Sequence, residues 1–225
     1  MTSAGHRDGT PAPEALPAGA PGRRLRRAER REQILAAATT AFARAGFAAT
    51  GLDDIAAEAG VSRVILYRHF ESKADLYRAV LERAKGRLAG ATGAPHFTYA
   101  SVDALLAAAA DDPAAFRLLF QHAAREPAFR EEMDRFRAEM VALAERQLAR
   151  VIPDRAWARW AAQLAPTVAI EAIAAWLDAG QPDRDEAAER VRQVLGGVIE
   201  AAGAGGAAAP AQRRSADEPG TSASS

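Results

Sequence analysis

Residues 46–77, GFAATGLDDIAAEAGVSRVILYRHFESKADLY, constrain the fold more than any other part of the chain. Turn signals recur there too densely for one long helix and too regularly for a loop. Asp53 and Asp54 fall in the first turn of a short helix, where negative charge suits the helix dipole. Leu52, Ile55, Ala56 and Ala59 share one face of that helix, and Gly60 makes the turn that follows. Ser62 then caps a second short helix by accepting an unpaired N–H, with Val61, Leu66 and Phe70 pointing inward. Ser72-Lys73-Ala74-Asp75 reads as a capping box opening a longer helix through Leu76, Val80 and Leu81. A helix before the stretch is predicted from about Ala28 to Ala45, with Ile34, Ala38, Ala41, Phe42 and Ala45 at helical spacing. Gly46 offers it a left-handed cap. Two short helices joined at a glycine, the second carrying arginine, tyrosine and histidine outward, have the layout of a helix-turn-helix. In that motif the second helix enters the DNA major groove.

Charge distribution agrees with that reading although the sum does not. The 225 residues carry no net charge, yet residues 22–83 hold twelve Lys and Arg against eight Asp and Glu. Six of the twelve lie in GRRLRRAERR: Arg23, Arg24, Arg26, Arg27, Arg30 and Arg31. Either this is a solvated helix start, or it is a basic arm that touches phosphates or a minor groove and adds affinity with little base discrimination. Alanine is abundant, β-branched residues are sparse and aromatics make up 6%, which predicts an all-α chain. Cysteine is absent, which excludes disulfides and thiolate metal sites. No uncharged run reaches the roughly 18 to 20 residues that span a bilayer, and the N-terminus lacks the apolar run of a signal peptide. A cytoplasmic location with no membrane partner is the expectation. Residues 1–22 and 203–225 are polar and rich in Gly, Ala, Pro and Ser, and are expected to be disordered tails.

The ordered set Gly46-Phe47, Thr50, Ile55-Ala56, Ala59-Gly60-Val61-Ser62, Leu66-Tyr67, Phe70 and Ser72-Lys73 resembles the tetracycline-repressor (TetR) family of bacterial transcriptional regulators. The resemblance covers about residues 29–82. It implies an N-terminal DNA-binding domain at 23–83 and a larger helical effector and dimerisation domain at 84–202. By that resemblance Tyr67 and His69 reach phosphates and Lys73 helps to anchor them, with Thr50 and Ser62 also near the DNA. Arg63, Val64, Ile65 and Arg68 take the positions that face base edges. An arginine fork can bond guanine O6 and N7 together, whereas phosphate contacts hold register without reading sequence. Gly51 stands where the family usually has a hydroxyl residue, which removes one phosphate contact. Val64 and Ile65 suit thymine methyls, or alternatively face solvent or the first helix.

Five further helices are expected between residues 97 and 202. One spans about Ser101–Ala110. A second carries Phe116, Leu119, Phe120 and Ala123, and closes at Glu126-Pro127. A long amphipathic third bears Met133, Phe136, Met140, Ala144, Gln147 and Val151, ended by Pro153. The fourth, about Asp154–Ala179, is apolar nearly all round from Pro166 to Leu177, with Glu171 as its only charge there. The fifth, about Asp183–Ala202, shows a stripe of Val191, Val194, Leu195, Val198 and Ile199. The family resemblance implies that the last two pair with their mates in a homodimer, with Trp157, Trp160 and Trp176 as candidate anchors. It also implies an effector pocket, for which Phe97, Tyr99, Phe116, Phe120, His122, Met133, Phe136, Met140 and Glu171 are candidates.

The function these readings imply is a ligand-responsive DNA-binding regulator, most often a repressor in the family, gripping a near-palindromic operator as a homodimer. Alternatives are a helical small-molecule carrier and an architectural DNA-binding protein without an effector. An enzyme is not expected. The sequence offers no nucleophile-base constellation, Gly-rich phosphate loop or His-Glu-x-x-His, and neither cofactor nor metal is anticipated.

Overall fold

The computed structural model describes residues 21–93 and 99–204, with side chains for 26–93 and 101–204. Most of both expected tails, and Phe97, lie outside the described residues, as does the side chain of Tyr99. The described residues are helical with no strand. Helix α1 (Pro21–Ala49) starts seven residues before the expected Ala28, so the arginine-rich stretch is itself helical. Gly46 breaks it at φ 76°, ψ 170°, a positive φ but with extended ψ rather than the left-handed helical cap the sequence suggested. Helices α2 (Leu52–Glu58) and α3 (Arg63–Tyr67) follow, with Gly60 at φ 61° between them. The Ser62 hydroxyl accepts from the Ile65 N–H as expected, at 3.4 Å.

Helix α4 (Lys73–Thr92) opens on Ser72, whose hydroxyl accepts from the Asp75 N–H at 3.0 Å. The return arm of that capping box lands one residue earlier than expected, because Asp75 accepts from the N–H of Glu71 and not of Ser72. Helix α4 runs unbroken through position 83, where the boundary between the head and the body was expected. The buried core under the head (Ile34, Phe42, Ile55, Leu66, Leu76, Leu81) continues without interruption into Leu118, Leu119, Phe129 and Met133 of the body. Glu32, Arg83, Arg87 and Asp112 tie the two parts on the outside, with Arg83 at 2.6 Å from Glu32 and Arg87 at 3.4 Å from Asp112. Asp112 also caps the next-but-one helix, its other oxygen accepting from the Ala115 N–H.

The body comprises α5 (Tyr99–Asp111), α6 (Pro113–Arg117), α7 (Arg130–Leu148), α8 (Arg155–Asp178) and α9 (Arg184–Gly203). The expected helix through Phe116 and Ala123 is not one element. Helix α6 passes into a π turn at Leu118–His122 and short 3₁₀ turns at Ala123–Arg125 and Pro127–Phe129. Helix α8 is long and apolar enough to cross a membrane by length and composition. Its buried side (Ala161, Ala162, Ala169, Ile173, Leu177) instead packs into the helical bundle, where α7 and α9 flank it. Trp176, expected as a dimer anchor, is 8% exposed, and its indole N–H donates to the Pro182 carbonyl at 2.6 Å, closing the α8–α9 turn. Val191 is likewise buried against α5 and α8, so neither residue is free for a partner.

Candidate nucleic-acid interface and apolar cavity

Helix α3 is only five residues long, and three of them, Arg63, Val64 and Tyr67, project from the surface. Val64 is 70% exposed, which a single apolar side chain tolerates but which suits a methyl-lined groove better. Ile65 is half-buried and packs on the head core, so of the two apolar side chains expected to face DNA only Val64 stands free. Arg63 lies at the start of the helix, where its Nη1 reaches both Asp53 carboxylate oxygens at 2.9 and 3.2 Å. Its other nitrogen is 3.4 Å from the Tyr67 hydroxyl, and the guanidinium stands 5.6 Å from the Tyr67 ring. An exposed pair of this kind adds little stability. It does hold the fork in one orientation beside Val64. Arg68 is exposed just beyond the helix.

His69 lies at the end of this surface, half-buried. Burial depresses its pKa first, then the charges of Arg27, Arg31, Arg68 and Arg30. Those four cations come from α1 and from the end of α3, so the N-terminal arginines and α3 share one face. Arg31 also stacks 5.1 Å from the Phe70 ring, which fixes the helix that carries the arm against the motif. The result is a cluster of positive charge at one end of a protruding short helix, which suits a groove and its phosphates.

Two expected DNA contacts are occupied elsewhere. Thr50 is 3% exposed, and its hydroxyl is 2.6 Å from the Gly46 carbonyl and 3.2 Å from that of Ala41. It closes the break in α1 and faces no solvent. Lys73 folds back to place its Nζ 2.8, 3.2 and 3.1 Å from the carbonyls of Phe47, Ala48 and Thr50, over the Phe47 ring at 4.6 Å. An ammonium has three donors, and all three are used on the negative end of α1.

The body holds a partly open apolar cavity of about 530 Å³ between α4, α5, α7, α8 and α9. Of the expected pocket residues, Phe120, Phe136 and Met140 line it. Phe116 is packed in the core 4.8 Å from the Phe120 ring, while Met133 and Glu171 border a separate recess of about 70 Å³. His122 lines neither. The sequence reading missed Leu88, Val102, Leu105 and Leu143, and it assigned Leu195 and Ile199 to a dimer interface when they face this cavity. No signal could have found them, since an apolar residue lining a void reads like one filling a core. Trp157 and Trp160 are 44% and 42% exposed on α8, edge to face at 5.7 Å, and Val194 is 51% exposed on α9. Val198 beside them is half-buried.

Residues 34–80 match the family model described as bacterial regulatory proteins, tetR family. The chain is 53% identical over 72 residues to the HTH-type transcriptional activator FasR of Mycolicibacterium smegmatis, covering 31% of this chain and 33% of that protein. It is 43% identical over 58 residues to the HTH-type transcriptional repressor BepR of Brucella suis, covering 26% and 28%. The chain thus matches about a third or less of the length of these curated relatives. A TetR-like transcriptional regulator from Rhodococcus sp. RHA1 superposes with a TM-score of 0.64 at 22% identity, over 74% of this chain and 93% of that one. The fold resemblance therefore extends well beyond the head.

Proposed function

We propose that this chain, whose head is a helix-turn-helix domain of the tetR family of bacterial regulatory proteins, is a ligand-responsive transcriptional repressor in the bacterial cytoplasm. It acts as a homodimer on a near-palindromic operator. The observation that carries the DNA-binding part is the convergence of Arg27, Arg30, Arg31 and Arg68 around His69, beside the exposed Arg63, Val64 and Tyr67. Val64 and Arg63 read base edges, while Tyr67, His69 and the arginine cluster hold the backbone. The α1 arginines supply salt-dependent affinity with little sequence preference.

The effector reading is supported by the cavity, a partly open apolar hollow of small-molecule size whose walls stay in contact with water unless a ligand covers them. Its walls are mainly aliphatic and aromatic, with Lys85, Thr92, Glu139, Gln147 and Arg150 also among the lining residues, so the ligand is a largely apolar molecule with room for a polar group. The homodimer reading is supported by Trp157 and Trp160, large rings exposed against each other on α8, and by the exposed Val194 on α9. Two recognition helices then meet two half-sites.

The test is fluorescence anisotropy of the purified chain on the DNA upstream of its own coding sequence, with shuffled DNA as control, at 50 and 200 mM salt. Tight binding that exceeds the control and falls steeply with salt is the expected result, and R68A is expected to weaken it. Equal binding to both DNAs at every salt would sink the sequence-specific reading.

A further inference from the structure

The head is gripped at one residue from both sides. Where Gly46 breaks α1, the Phe47 N–H donates to the Glu126 carboxylate of the body at 3.2 Å, across 79 residues of sequence. The Phe47 carbonyl accepts from Lys73 at 2.8 Å. Glu126 sits at the junction of the two 3₁₀ turns, three residues before Phe129. Rings of Phe47, Tyr77 and Phe129 meet pairwise there at 4.5 to 5.0 Å. Inside the same cluster the Tyr77 hydroxyl is fully buried and has no hydrogen-bond partner among the described residues.

A phenylalanine would fill the Tyr77 position without that unpaired group, and a buried orphan hydroxyl costs free energy. The acidic group beside it is Glu126, whose charge adds to burial in raising the phenol's pKa. We propose that Glu126 is a positioning residue for DNA binding, a latch with two seats: the Phe47 N–H, occupied here, and the Tyr77 hydroxyl, vacant here. In the first seat it fixes the α1–α2 corner that aims the helix-turn-helix. A shift of the 123–129 segment that carries the carboxylate to the second seat frees that corner. The segment is the one that joins the cavity wall at Phe120 to the head, so body rearrangements reach the corner through it.

The link to DNA rests on the head being the DNA-binding element, but the latch is measurable without DNA. Amide exchange of the peptide containing Phe47, on the full chain, reports the fraction of molecules out of the first seat. Y77F removes the second seat and leaves the first intact, so exchange at Phe47 is expected to slow about fivefold, with the melting temperature unchanged or higher. E126A is expected to speed that exchange about tenfold and weaken operator binding several-fold, and E126Q, which keeps an acceptor, is expected to restore both. Exchange in Y77F within twofold of wild type overturns the second seat. Operator affinity of E126A equal to wild type overturns the positioning role. Failure of the wild type itself to prefer operator DNA would instead refute the regulator reading, while the exchange data still decide the latch.

Discussion

Replacing Lys73 by methionine separates a structural lysine from a phosphate contact. Methionine keeps most of the apolar stem against Phe47 and removes the ammonium. Three hydrogen bonds of 2.8, 3.1 and 3.2 Å and a cation–π contact at 4.6 Å disappear. A hydrogen bond involving a charged group contributes about 1.5 to 3 kcal/mol. The full multiple is not lost, because the Ala48 carbonyl belongs to an exposed residue and water can replace the ammonium there. A net loss of about 2 to 3 kcal/mol follows, with the cation–π contact contributing about 0.5 to 1 kcal/mol of it. For a chain of this size that lowers the melting midpoint by about 5 to 10 °C. The assay pairs thermal unfolding with the salt dependence of operator binding measured well below the midpoint. A phosphate-bound lysine would take about 0.9 from the log-log salt slope per protomer, whereas a lysine spent on carbonyls leaves it unchanged. An unchanged midpoint with a reduced slope would refute the structural assignment.

Thr50→Val, which is nearly isosteric, is expected to cost about 1 to 2 kcal/mol in urea unfolding, because the Gly46 carbonyl loses its 2.6 Å donor, and to leave the salt slope unchanged. Arg63→Ala is expected to relax preference at one operator base pair by about 1 to 3 kcal/mol, read from binding to a set of singly substituted operators; uniform weakening across the set would argue for a phosphate contact instead. His69 has a folded pKa below its unfolded value near 6.5, so the unfolded chain binds the extra proton first. Its contribution to stability is therefore complete above about pH 6.5 and is lost as the pH falls through that value toward the folded pKa. Urea midpoints of wild type and H69Q should diverge less at pH 5.5 than at pH 7.5, and parallel curves would contradict the assignment. Trp160→Glu places a charge on the exposed α8 face and is expected to halve the mass seen by light scattering; a variant that keeps the wild-type mass would move the interface elsewhere.

Short-range signals were legible in the sequence because their partners lie within one helical turn. Gly60 turns, Ser62 and Ser72 cap, and the apolar faces of the head point where their spacing says, since each depends only on local backbone geometry. Those signals determine that the chain is helical and that a short helix carrying Arg63, Val64 and Tyr67 outward stands on its head. Partners 9 to 79 residues away, which no local spacing announces, were decided by the tertiary structure alone. Lys73 and Thr50 look like phosphate ligands by position, yet the broken end of α1 presents carbonyls that claim them, and Glu126 carries no motif at all. The three tryptophans of α8 are alike in sequence, but only the neighbours that wrap the helix decide that Trp176 is sealed inside while Trp157 and Trp160 face out. The cavity is the limiting case. Hydrophobic pattern specifies which side chains leave water, but whether the space they enclose is filled or empty depends on how five helices meet, which no single helix encodes.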